Sequence, residues 1–204
     1  MFIMFVYLNG LILGLSLIMA LGPQNIFLIK QGARKNHAAL SAIICFICDV
    51  ILVGASVAGL HELLLSHPTL QIWMIWLGSA FLLYYAVKTL RSAFSKKEPT
   101  TEQAHQQHNR MQIILFALGF SLLNPHAIID TLVIIGSGSS QFPDQEITFL
   151  FGVITSSLLW FSSLFFTTRY FSNVLMKATV WQTIELCSGL LMAYIGLKLA
   201  LGNM

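Results

Sequence analysis

The sequence predicts an all-α, polytopic membrane protein, and three observations support this fold class. Of the 204 residues, 56% are hydrophobic and only 9% are charged, and the mean hydropathy of +0.77 is too high for a soluble domain. Apolar runs near the length of a membrane-spanning helix recur along the chain. Alternating strands of about ten residues, the pattern of membrane β-barrels, do not appear. We therefore expect several spanning helices.

Charge and cysteine usage exclude several function classes. The formal charge of +3 is small and forms no basic patch, so we expect no nucleic-acid partner. Cys45, Cys48 and Cys187 are an odd number within apolar runs, so no disulfide framework is predicted. We interpret Cys45 and Cys48 as packing residues, with a thiol relay as the alternative. No Lys or Arg precedes the first apolar run, which predicts a retained helix rather than a cleaved signal peptide.

Three helices are predicted in the first half of the chain, residues 1–90. The first covers about 2–29, carries Gly10-x-x-x-Gly14 for close helix packing, and is broken at Gly22-Pro23-Gln24-Asn25. The second and third cover about 38–60 and 69–90. Residues 91–110 are rich in Ser, Lys, Glu, Gln and His and form a predicted cytoplasmic linker.

The second half, residues 111–204, repeats this pattern. Its first predicted helix starts near 111 and is broken at Asn124-Pro125-His126, and two more follow over about 147–167 and 181–201. Six spans with breaks in helices 1 and 4 are therefore expected. Three helices on each side of the linker insert with opposite orientations, which indicates a 3+3 inverted repeat of the kind found in secondary transporters.

The basic residues predict the orientation, since Lys and Arg concentrate in cytoplasmic loops. The loops after helices 1, 3 and 5 hold all of them except Lys198, which lies on the other side. Both termini are therefore expected outside the cytoplasm. The cytoplasmic set is Lys30, Arg34, Lys35, Lys88, Arg91, Lys96, Lys97, Arg110, Arg169 and Lys177.

Two carboxylates at membrane depth are the main candidate site residues. Asp49 lies about 16 Å along helix 2, near the bilayer midplane, and Asp130 follows the second break. No Lys or Arg is expected inside a span to pair with them, so a proton or a cationic substrate must supply the charge. Structural hydrogen bonding is the alternative for both. Glu185 is expected near the cytoplasmic edge, where its side chain can reach the interface, with a part in the site as the alternative.

The helix breaks supply neutral polar groups. Gln24 and Asn25 are expected to bind substrate backbone groups or helix ends, and Asn124 belongs to the second break. His126 either caps the carbonyls freed by Pro125 or takes part in transport. Inverted breaks of this kind can hold the amino and carboxylate groups of a substrate.

These residues carry a family resemblance along the chain from helix 1 to helix 6. The chain resembles the LysE superfamily, in particular its lysine/arginine exporter branch. The resemblance implies an inner-membrane exporter of basic amino acids driven by the proton-motive force, with no ATP site. No cofactor or metal is expected. It also implies roles for Asp49 and Asp130, whereas Glu185 replaces an amide that is more usual in the family. The matching motifs are Gly22-Pro23-Gln24-Asn25, Lys30-Gln31-Gly32, Cys48-Asp49, Trp76-x-Gly78, Asn124-Pro125-His126-x-x-x-Asp130-Thr131 and Trp160-Phe161.

The predicted function is export of L-arginine or L-lysine across the bacterial inner membrane. The partners are then a basic amino acid, protons and the lipid bilayer, and the sequence leaves monomer and homodimer open. Export of neutral amino acids or other small metabolites is the main alternative. An intramembrane aspartyl protease is a weaker one, because no motif places Asp49 beside Asp130.

Overall fold

A computed structural model describes residues 2–20, 22–58, 66–94, 109–123 and 125–201. At positions 68, 70, 71, 125–127, 129 and 130 it describes the backbone alone. All regular secondary structure in these ranges is helical, which confirms the predicted class. The helices are α1 Phe2–Ile18, α2 Pro23–Arg34, α3 Ala38–Val57, α4 Pro68–Phe94, α5 Arg110–Leu122, α6 Pro125–Ser139, α7 Glu146–Tyr170, α8 Ser172–Leu175 and α9 Ala178–Leu201.

Several of these helices are long and apolar enough to cross a membrane. Four of the described ranges qualify alone: α3, residues Ile72–Phe94 of α4, α7 and α9. The pair α1 and α2 qualifies as one bent span, which raises the number to five. Helix α5 is apolar but has only 13 residues, short of the roughly 20 that a bilayer requires. Membrane insertion is thus supported by length and composition for four or five spans.

The first helix break lies where the sequence predicts it, but its form differs. The expected helix over 2–29 is two helices, because α1 ends at Ile18 and α2 starts at Pro23 with a bend of 78° between them. Gly22 has extended backbone geometry before α2, and proline suits the first position of a helix because the amide it lacks has no partner there. Pro23 therefore starts a helix rather than kinking one. The same holds in the second half, where α5 ends at Leu122 and α6 starts at Pro125.

Some other boundaries shift from the prediction. Helix α4 continues to Phe94, so the first residues of the expected 91–110 linker are helical. Leu90 and Ala93 belong to a surface that packs on α9, and this contact extends the helix beyond the apolar run. Helix α3 ends at Val57, and residues 59–60 of its predicted extent lie outside the described ranges.

Close packing of α1 against α7 confirms the role predicted for the first glycine pair. A Cβ on Gly10 would lie 2.2 Å from the backbone oxygen of Phe149, and one on Gly14 would lie 2.2 Å from Ser156 Oγ. Any side chain at Gly10 would push the helices apart, since the obstacle is backbone. The other extensive contact joins α4 to α9, while α3 packs on α5, α6 and α7.

Helix α2 is the most enclosed of the helices that the structure describes. Its residues Ile26, Phe27 and Leu28 are buried in a core that also includes residues of α3, α4, α5, α7 and α9. Aromatic rings surround it, with Phe27 and Phe120 at 5.1 Å and Phe120 and Tyr85 at 4.7 Å between centroids. The bend after α1 thus turns a short helix into the interior.

The ends of several helices carry cations at one end of the bundle. Lys30 contacts Thr89, Arg34 contacts Glu185, and Lys35 and Arg169 line one open groove. These contacts bring together the last turns of α2, α4 and α7 and the first turns of α9. We call this the basic end.

Candidate functional site

Asp49 lies in the middle of α3, on the side that faces α7. The hydroxyl of Ser157, in the middle of α7, donates a hydrogen bond to its Oδ2. Each of these two residues lies eleven positions after the first residue of its helix. No ion-pair partner of Asp49 occurs in the part of the chain that the structure describes. The carboxylate is therefore held by a neutral group in the middle of both helices.

Small polar side chains continue this site along α3. Ser41, Cys45 and Cys48 are buried, as the helical spacing of the sequence indicates. The Cys45 thiol lies beside the side chains of Gln24 and Ser121, which come from the two helix-break regions. The hydroxyl of Ser121 is buried and has no hydrogen-bond partner of ordinary length in the described ranges. Polar groups from α2, α3, α5 and α7 thus lie near one another in the region of Asp49.

Asn25 holds the first helix break together. Its Nδ2 donates to the backbone oxygens of Ile18 and Ala20, each at 2.8 Å. Its Oδ1 accepts a hydrogen bond from the indole Nε1 of Trp160 at 3.1 Å. The amide therefore binds a helix end, one of the two roles that the sequence left open for it, and all its polar atoms are engaged.

The second helix break is described only in part. Asn124 lies outside the described residues, as do the side chains of Pro125, His126 and Asp130, although the backbone of α6 includes the last three. Thr131 is partly buried in α6. The roles predicted for Asn124, His126 and Asp130 stay predictions.

Glu185 does not reach toward the interface as expected. It is buried on α9, where Ser92 Oγ donates to its Oε1 at 3.0 Å and Arg34 Nη2 lies 3.7 Å from the same oxygen. The prediction was wrong because α9 packs along α4, and this packing covers the first turns of α9 with the last turns of α4.

The expectation that no Lys or Arg is buried within a span was also wrong. Lys30 in α2 has only 6% of its surface exposed, and its Nζ lies 3.5 Å from Thr89 Oγ1. Glu185 attracts both this ammonium group and the guanidinium group of Arg34. Lys30 was assigned to a loop because the break at Pro23 hides that the helix restarts and runs to Arg34. The Lys30 ammonium group therefore offsets the charge of Glu185. Asp49 has no ion-pair partner in the described part of the chain.

Sequence reasoning missed several residues of these sites. Ser157 forms a double serine with Ser156 at the same distance into its helix as Asp49, which is the signal that could have found it. Trp181, whose ring lies 4.7 Å from the Arg34 guanidinium carbon, and Thr89 carry no comparable signal, since only packing brings them to α2.

Comparison with known proteins shows a consistent family. The model of the LysE type translocator family matches residues 15–203. The arginine exporter proteins ArgO of Escherichia coli strain K12 and of Klebsiella pneumoniae strain 342 are each 34% identical to this chain over 195 residues, covering 95% of it and 92% of the relative. YggA of Aeromonas salmonicida, provisionally described as an amino-acid transporter, is 36% identical over 196 residues, covering 96% of this chain and 95% of the relative. No solved structure matches.

Proposed function

The chain belongs to the LysE type translocator family, and from this premise we propose that it exports a cationic amino acid, L-arginine or L-lysine, across the bacterial inner membrane. The proton-motive force drives the export. Relatives that share about a third of its residues over nearly their whole length carry the name arginine exporter. Neither a catalytic residue nor a cofactor is part of the proposal.

The observation that carries the proposal is the Asp49 carboxylate in mid-bundle. It makes a hydrogen bond with Ser157 and has no ion-pair partner among the described residues. Asp49 is partly buried, and a carboxylate held away from water without a counter-ion is costly. A bound cation offsets that cost through charge-assisted hydrogen bonds. A neutral substrate would leave the charge uncompensated, so discrimination by charge is expected.

Coupling to protons follows from the same group. A carboxylate can carry either a proton or a substrate cation, and the two compete for it. In an exporter the substrate leaves on the outside when a proton replaces it, and the proton is released inside. Asp130 is the second proposed carrier of charge, and Gln24, Asn124 and His126 are the neutral groups proposed to bind the substrate.

We further propose that the helices form six spans in a 3+3 inverted repeat. The packing supports this arrangement. The broken pair α1 and α2 packs on α7, the broken pair α5 and α6 packs on α3, and the two middle helices α3 and α7 contact each other. The third helices of the two halves, α4 and α9, also pack on one another. A two-fold axis between halves predicts this set of contacts, and it makes Asp49 and Ser157 equivalent positions.

The proposed orientation places the basic end in the cytoplasm. Lys30, Arg34, Lys35 and Arg169 lie together at that end, and basic residues favour the cytoplasmic side. Both chain termini are then periplasmic.

The function is tested by efflux of labelled arginine and lysine from loaded cells that express the chain, with and without an uncoupler. Citrulline is the most informative control, because it keeps arginine's length and planar end group but lacks the charge. Rapid efflux of arginine or lysine, slow efflux of citrulline and loss of transport with the uncoupler are expected. Equal efflux of arginine, citrulline and leucine would redirect the function to neutral amino acids.

A further inference from the structure

At the basic end, the guanidinium group of Arg34 occupies a site built from two other helices. Its central carbon lies 4.7 Å from the centre of the Trp181 ring, and its Nη2 lies 3.7 Å from Glu185 Oε1. An aromatic face and a carboxylate are the two groups that recognise a planar guanidinium best, since one stacks on it and the other neutralises it. Trp181 and Glu185 are one turn apart on α9, so they present this pair together.

Arg34 binds this site loosely and at its edge. The 3.7 Å separation from Glu185 exceeds hydrogen-bond length, whereas a guanidinium can form two parallel bonds to a carboxylate. The Arg34 side chain is 22% exposed and that of Glu185 only 6%. Arg34 therefore covers Glu185 from the surface without making the strongest contact available.

Glu185 keeps other partners beneath Arg34. Ser92 donates a hydrogen bond to it at 3.0 Å, and the buried ammonium of Lys30 attracts it. Displacement of Arg34 thus leaves the carboxylate partly compensated. One turn before Arg34, the amide oxygen of Gln31 is fully buried without a hydrogen-bond partner in the described ranges. A donor group entering this region would find an acceptor that is not otherwise used.

We infer that Glu185 and Trp181 form a recognition subsite for the guanidinium group of the substrate, and that Arg34 is an internal occupant which the substrate displaces. This inference rests on the proposed export of a cationic amino acid and adds the place where it is first bound. Arg34 belongs to the first half of the chain and Glu185 to the second. Their ion pair therefore joins the halves at the basic end, and arginine arriving from that side exchanges one guanidinium for another.

The central test measures arginine uptake into everted membrane vesicles, where export appears as uptake. Arg34→Gln removes the internal competitor, so the KM for arginine should fall several-fold. Arg34→Lys keeps the charge without the planar group and should lie between the wild type and Arg34→Gln. Glu185→Gln should raise the KM for arginine about tenfold while citrulline uptake stays unchanged. Arg169→Gln is the matched control, since it removes a cation from the same end that lies over Phe165 rather than over a carboxylate, and its KM should equal that of the wild type.

A second measurement uses binding rather than transport and does not depend on the stability of charge variants. Ser92 is exposed and its oxygen lies 3.0 Å from Glu185, so Ser92→Cys in a Cys187→Ser background places a reactive thiol at the subsite. The remaining thiols, Cys45 and Cys48, are buried. Arginine should slow labelling of this cysteine by N-ethylmaleimide at least threefold, and citrulline should not.

An ion pair that only stabilises the fold gives different results. Arg34→Gln would then leave the KM unchanged or raise it, and arginine would not protect the cysteine at position 92; either result overturns the inference. The wild type decides the proposed function separately. If the wild type transports arginine while the variants give the results expected of a structural ion pair, the export function is supported and the subsite is rejected. A wild type that transports neither arginine nor lysine refutes the proposed function itself.

Discussion

The indole of Trp160 donates a hydrogen bond of 3.1 Å to the side-chain oxygen of Asn25, and this bond ties the first helix break to α7. The amide nitrogen of Asn25 meanwhile binds two backbone oxygens at the end of α1. Trp160 lies one turn from Ser157, which holds Asp49. The geometry of the break and the position of the carboxylate therefore depend on the same stretch of α7.

Replacing Asn25 should destabilise the fold at the break. Asn25→Ala removes three hydrogen bonds and leaves backbone oxygens without a partner, so we expect a loss of about 2 to 3 kcal/mol in the free energy of unfolding. Trp160→Phe removes one bond and should cost about 0.5 to 1 kcal/mol. Denaturant unfolding of the purified protein in detergent measures both.

The double variant tests whether these two residues act together. Because one hydrogen bond is lost in both single variants, the effects of Asn25→Ala and Trp160→Phe should not add. Strict additivity would mean that the Trp160 bond contributes nothing to the break.

Neutralising Asp49 should stop export without unfolding the protein. Asp49→Asn keeps the shape of the side chain and can still accept the Ser157 hydrogen bond, so insertion and stability should be maintained. Export of arginine should fall at least tenfold, since the charge that binds a cation is gone. Asp144→Asn is the matched control, because Asp144 is exposed in a turn with a positive φ that Asn also tolerates. Normal export by Asp49→Asn would assign the carboxylate to structure.

Two glycines should respond oppositely to the same substitution. Gly10→Ala places a methyl group 2.2 Å from the Phe149 oxygen, so α1 must move away from α7 and stability should fall by about 1 to 3 kcal/mol. A methyl group on Gly54 in α3 meets nothing within 4 Å, so Gly54→Ala should leave stability unchanged or raise it by up to about 1 kcal/mol. Thermal unfolding in detergent compares the two. Equal losses at both positions would show that helix packing is not what Gly10 provides.

The orientation can be measured with reporters at Met204 and within residues 95–108. The basic end should be cytoplasmic, so a reporter at the C-terminus should be active only in the periplasm and one in the linker only in the cytoplasm. The reverse pattern would contradict the distribution of Lys and Arg as a guide to this chain.

The sequence was sufficient for features that depend on local chemistry. Apolar runs predict helices because a backbone in lipid must satisfy its own hydrogen bonds. Prolines mark the two breaks because a residue without an amide proton cannot continue a helix, and the spacing of Gly10 and Gly14 indicates a close helix contact. The buried polar face of α3 also follows from periodicity, since Ser41, Cys45 and Cys48 are separated by helical steps.

Only the tertiary structure decided which groups meet across the bundle. Asp49 and Ser157 are 108 residues apart, and Arg34 and Glu185 lie in different halves of the chain. The burial of Lys30 and Glu185 depends on the direction of α2 after its break and on the packing of α9 along α4. Neither feature is indicated by the local sequence. Local propensity acts through a few neighbouring residues, whereas pairing of buried charges is set by the packing of helices distant in sequence.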